Sequence, residues 1–99
     1  MFWNQKIKLG KVTESLSYGE PIQAITWTEV YANKRSVRQS EYYEAANLGL
    51  KPELVFEVNS FEYDVHEKIQ YGGKTFEILR AYEKGETVEL TVGGAVDGS

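Results

Sequence analysis

The chain has 99 residues, no cysteine and one histidine. That length fits one small domain, which buries roughly 60–65% of its unfolded surface. The missing thiols exclude a disulfide scaffold, thiolate metal sites and cysteine nucleophiles. A net charge of −4 and a pI near 5.0 argue against a free-standing nucleic-acid binder, which would show a basic face.

Strand formers dominate the composition. Val, Ile and Thr number 20 and the aromatics 13, so one third of the chain favours strand. Charge is uneven. Residues 1–52 carry seven basic and five acidic side chains, and residues 53–99 carry four and ten. Such asymmetry suits copies or partners that meet positive to negative. Neither a secretion-type apolar stretch after Met1 nor a run of about 20 apolar residues is present, so a soluble chain made in a cytoplasm is expected.

Residues 6–17 alternate, with Ile7, Leu9 and Thr13 on one face and Lys6, Lys8 and Val12 on the other. This predicts a strand with a bulge or bend at Gly10. Tyr18-Gly19-Glu20-Pro21 is a turn signal. Residues 22–33 form the next strand. Ile25, Trp27 and Tyr31 share one parity, and Ala24, Val30 and Ala32 the other, so both sides carry apolar groups.

Residues 34–52 break the pattern. Lys34, Arg35, Ser36, Val37, Arg38 and Gln39 lead into a short helix with Ser40 as N-cap and Glu41 in its first turn. Asn47 or Gly49 ends it. A helix this short is not stable alone and must dock on something. Adjacent Tyr42 and Tyr43 cannot both face a core, so one is a candidate interface anchor. Lys34, Arg35 and Arg38 form the most basic short run, suited to acidic protein surface or phosphate. Glu41 and Glu44 read as a solvated helix face.

Residues 53–59 alternate, with Leu54, Phe56 and Val58 inward and Val55, Glu57 and Asn59 outward. Asp64 and His66 are metal-ligand types, but they do not complete a tetrahedral site. Residues 66–71 and 74–82 form a hairpin around Gly72-Gly73, the strongest local signal. After a turn at residues 83–86, residues 87–92 place Val88, Leu90 and Val92 on one face. The expected fold is all-β: a small antiparallel barrel of about six strands, with one short helix in the long loop between strands 2 and 3. The domain spans residues 1–92, and 93–99 read as a Gly-rich flexible tail. No nucleophile signature, metal set or cofactor motif occurs, so a non-enzymatic protein without cofactor is expected.

Trp27-Thr28-Glu29-Val30-Tyr31-Ala32-Asn33, Tyr42-Tyr43-Glu44-Ala45-Ala46, Leu54-Val55-Phe56-Glu57-Val58, the hairpin around Gly72-Gly73-Lys74, and Val88-Glu89-Leu90 occur in a telling order. Across residues 5–92 this order resembles the head–tail joining (head-completion or stopper) proteins of long-tailed bacteriophages and prophages. The resemblance implies a homo-oligomeric ring in the virion neck, below the portal and adaptor ring. There it would help close the DNA-filled capsid and meet tail-completion proteins. Double-stranded DNA would only pass through, no membrane would be involved, and the free chain could be monomeric. Ring and channel contacts are carried onto Lys34, Arg35, Ser36, Val37, Arg38, Gln39, Glu41, Tyr42 and Tyr43. Distant members of that family often carry basic residues in the strand that here holds Glu57 and Asn59, so the resemblance does not extend to direct DNA contact from that strand. The alternatives are another phage neck or tail component, or a barrel binding single-stranded nucleic acid or oligosaccharide. In the latter, Trp27, Tyr31, Tyr63 and Tyr71 would be the stacking groups.

Overall fold

The computed structural model describes residues 5–97. Six antiparallel strands run in chain order: β1 (Gln5–Ser17), β2 (Glu20–Arg35), β3 (Pro52–Asn59), β4 (Lys68–Tyr71), β5 (Lys74–Lys84) and β6 (Thr87–Asp97). They close one ringed sheet in the order β1-β2-β3-β6-β5-β4. One helix, α1 (Gln39–Asn47), lies between β2 and β3, and a 3-10 turn (Ser60–Glu62) follows β3. The expected all-β barrel with one short helix in the long second connection is the fold observed. No helix among the described residues is long and apolar enough to cross a membrane.

Alternation builds the core. Ile7, Leu9, Val30, Ala32, Phe56, Val58, Ile69, Phe76, Val88, Leu90 and Val92 point inward and are nearly or fully buried. Three hairpins fix the registers. Tyr18-Gly19 and Gly72-Gly73 both have two residues at positive φ, the mirror-image turn that matches strand twist. Gly85, also at positive φ, helps join β5 to β6.

Several local expectations are corrected. Gly10 marks no bulge, because β1 and β2 pair without interruption from Gln5–Ala32 to Ser17–Glu20. It lies opposite Trp27, and a Cβ there would sit 2.5 Å from the indole ring. Glycine is required so that the indole can lie flat on the strand. β6 does not stop at Val92. It runs to Asp97, with Gly93 opposite Pro52 and Glu77 and Asp97 opposite Lys74, so residues 93–97 are paired backbone rather than tail. Gly98 and Ser99 of the expected tail lie outside the described residues. A Cβ on Gly93 would collide with the Lys51 carbonyl, which gives this glycine a packing role. Val55, expected outward, is fully buried although it is outside the inward cluster.

The barrel is not the whole molecule. β4 pairs with β1 only at Lys8–Gly10, and β3 pairs with β2 only at Asn33–Arg35. Residues 11–17 and 20–26 therefore continue as a two-stranded ribbon beyond the closed part of the sheet.

Candidate functional site

The segment singled out for interface contacts begins in strand rather than loop. Lys34 and Arg35 are the last residues of β2, opposite Phe56 and Val55. Lys34 stands beside the Tyr71 ring, its Nζ 5.1 Å from the ring centroid and donating to Oη at 3.2 Å. The Tyr71 hydroxyl donates in turn to Gln5 Oε1 at 3.1 Å.

Arg35 is a structural hub. Nη1 and Nη2 donate to the two Glu41 carboxylate oxygens at 2.8 and 2.9 Å, a fork-to-fork pair. Nη2 also lies 3.3 Å from Glu89 on β6, and Nη1 donates to the Ser36 carbonyl at 3.0 Å. The guanidinium thus ties β2, β6 and α1 together. Its hydrogen bonds to Glu41 hold the Glu41 carboxyl down at about 2, and the Arg38 N–H bond adds to the effect. Glu41 is therefore oriented by partners, which overturns the expectation of a merely solvated carboxylate.

The helix N-cap lies two residues earlier than expected. Arg38, not Ser40, is the N-cap. Glu41 reaches back to accept from the Arg38 N–H at 2.9 Å, so its carboxylate both caps α1 and anchors it to the sheet. Gln39 Nε2 donates to the Tyr43 hydroxyl at 3.4 Å. At the other end the backbone turns off through Gly49 at φ 77°.

No residue of α1 is buried. Its attachment runs through ions: Glu41 to Arg35, and Glu44 to Arg80 on β5 at 3.4 Å. Val37 and Ala45 are half-buried, whereas Ser36, Arg38 and Gln39 are exposed. Tyr42 and Tyr43 are 48% and 59% exposed, in edge-to-face contact at 6.2 Å. Neither ring enters the core. Beneath the helix, a cleft of about 710 Å³ opens against the outer face of β5 and β6.

The four aromatics of the stacking alternative do not form one platform. Trp27 and Tyr31 share the outer face of β2, while Tyr63 and Tyr71 pack against the core cluster. Asp64 and His66 do not share a strand face either, since β4 begins only at Lys68. His66 is buried, and its Nδ1 accepts from the Asp64 N–H at 3.0 Å. Burial lowers its pKa. The Asp64 carboxylate instead takes Lys11 Nζ at 2.7 Å.

Sequence reading missed Arg80, Glu89 and the cleft. By parity Arg80 would share the inner face with Phe76 and Ile78; a register shift between Ile78 and Arg80 turns it outward, which alternation alone does not reveal. In comparisons with known proteins, no family model matches the chain and no curated protein is significantly similar to it in sequence.

Proposed function

We propose that this chain is a non-enzymatic assembly subunit: a connector of a phage or prophage virion neck, forming a ring beneath the portal and adaptor. The observation that carries the reading is α1. A nine-residue helix with no buried residue presents two tyrosines to solvent and is fixed by salt bridges at its inner side. Half-exposed tyrosines on a preset element suit an interface that is part apolar and part wet. The order of motifs from Trp27 to Leu90 supplies the phage context. Weak contacts between copies become strong when a ring engages several sites at once.

The test is co-purification with the portal and adaptor proteins of the same genome, read by electron microscopy. Wild type should add a ring layer below the adaptor. Tyr42→Ser/Tyr43→Ser should unfold at the wild-type temperature and add no layer. A wild-type chain that adds no layer, or one that binds oligonucleotide with a steep salt dependence, overturns the reading.

A further inference from the structure

The loop of residues 63–67 lies where the closed sheet ends and the ribbon begins. Pairing of β4 with β1 stops at Lys68–Gly10. The Glu67 N–H donates to the Gly10 carbonyl at 2.8 Å, and Lys11, the next residue of β1, donates to the Asp64 carboxylate at 2.7 Å. The loop therefore tethers the root of the ribbon.

One side chain sets the shape of this loop. His66 is the only histidine of the chain and is buried. Its Nδ1 accepts from the Asp64 N–H at 3.0 Å, so the neutral ring carries its proton on Nε2. Its carbonyl accepts from the Tyr63 hydroxyl at 3.3 Å, and the two rings lie 5.8 Å apart. Between Asp64 and His66, Val65 is exposed and stands at φ 50°, a left-handed conformation that is costly for a β-branched residue. The bond that closes the backbone around Val65 is the one to Nδ1, and it requires the neutral ring.

The groups around the imidazole carry both signs. Burial opposes the imidazolium most, Asp64 favours it, and Lys11 on β1 opposes it. Glu67 in the loop and Glu83 on β5 bear on the neighbouring Tyr63 hydroxyl. Burial prevails, and His66 titrates below its ordinary 6.5.

We propose that this loop is a pH-operated latch on the ribbon root. A proton taken from solvent onto the Nδ1 lone pair turns the acceptor into a donor and sets two N–H groups against each other. The bond from the Asp64 N–H breaks, the Asp64 carboxylate exchanges Lys11 for the imidazolium, and Val65 relaxes to negative φ. The ribbon root then loses its Lys11 tether. Because the buried ring titrates low, the closed loop is fully favoured above about pH 6.5 and loses that advantage as pH falls through the folded value. The latch acts on the ribbon, which the connector reading does not use, so the two stand or fall separately.

The test is an NMR titration of the full-length chain from about pH 8 to about pH 5, following the His66 ring protons and the backbone amides together. His66 should show a midpoint below 6.5, and the amides of Lys11, Val12, Asp64 and Val65 should move with that same midpoint. His66→Asn places a carbonyl oxygen where Nδ1 accepts and does not titrate, so these amides should stay still. Lys11→Gln leaves the Asp64 carboxylate free for the imidazolium and should raise the His66 midpoint. Amides of Asp64 and Lys11 that stay still while His66 titrates, a midpoint at or above 6.5, movement that persists in His66→Asn, or an unchanged midpoint in Lys11→Gln overturns the latch. Should His66→Asn fail to fold, the wild-type and Lys11→Gln titrations decide.

Discussion

Arg35 and Glu41 form a two-point ion pair, six residues apart in sequence, with each side chain about one quarter exposed. The Glu41 carboxyl sits at about 2 in the folded chain against an ordinary 4.5. Its contribution to stability is therefore complete above about pH 4.5 and is lost as pH falls through about 2. With allowance for nearby solvent, it is worth about 1–2 kcal/mol. Urea midpoints of wild type and Glu41→Gln should differ by that amount at pH 7 and converge near pH 2. Tyr18 offers a second residue-scale prediction. It occupies φ 54° with a bulky side chain, where Asn is better accommodated. Tyr18→Asn should raise stability by about 0.5–1 kcal/mol in denaturant titration. At Gly93 the sign reverses: an added methyl meets the Lys51 backbone, and Gly93→Ala should cost about 1–3 kcal/mol.

At the scale of elements, strands and helix are held by different forces. β3 and β6 bury Phe56, Val58, Val88, Leu90 and Val92 completely, whereas α1 has no fully buried residue. Apolar burial resists local opening, and exposed ion pairs do so weakly. Amides of α1 and of the ribbon beyond Lys11 should therefore exchange with solvent orders of magnitude faster than those of β3 and β6, measured by hydrogen exchange at neutral pH. Equal protection across these elements would contradict an ionic attachment of the helix. The docking expected for so short a helix does occur, but it is carried by Arg35 and Arg80 rather than by an apolar face.

The whole molecule is longer than its core requires. Its extents are 48 × 31 × 27 Å and its radius of gyration is 14.3 Å, against about 12.6 Å for a compact domain of this size. The ribbon is the element that runs past the barrel. Replacing residues 14–23 by Asn-Gly, which joins the paired Thr13 and Ala24 through a two-residue turn, should leave the barrel folded. The expected stability change is under about 1 kcal/mol, because that segment adds no residue to the core cluster. A chain that no longer folds after this replacement would show that the ribbon serves the core.

Local chemistry determined much of this protein without tertiary information. Period-two alternation at Ile7 and Leu9, at Leu54, Phe56 and Val58, and at Val88, Leu90 and Val92 requires sheets with one inner face. Gly72-Gly73 requires a tight hairpin because both residues adopt positive φ. The absence of cysteine left stability to apolar burial alone. Tertiary structure decided what local patterns cannot encode. Gly10 is small because Trp27, 17 residues away in sequence, lies against it. Arg35 ends a strand rather than opening a loop because Val55 on β3 pairs with it. Glu41 orients because Arg35 and the Arg38 N–H converge on it, and Arg80 reaches the helix from β5. In the ribbon the alternation of residues 11–26 is the same as in the barrel, so no periodicity separates a strand covered by neighbours from one that projects into solvent. Only the short overlap of β4 with β1 and of β3 with β2 makes that distinction, since burial is a property of what packs against a strand.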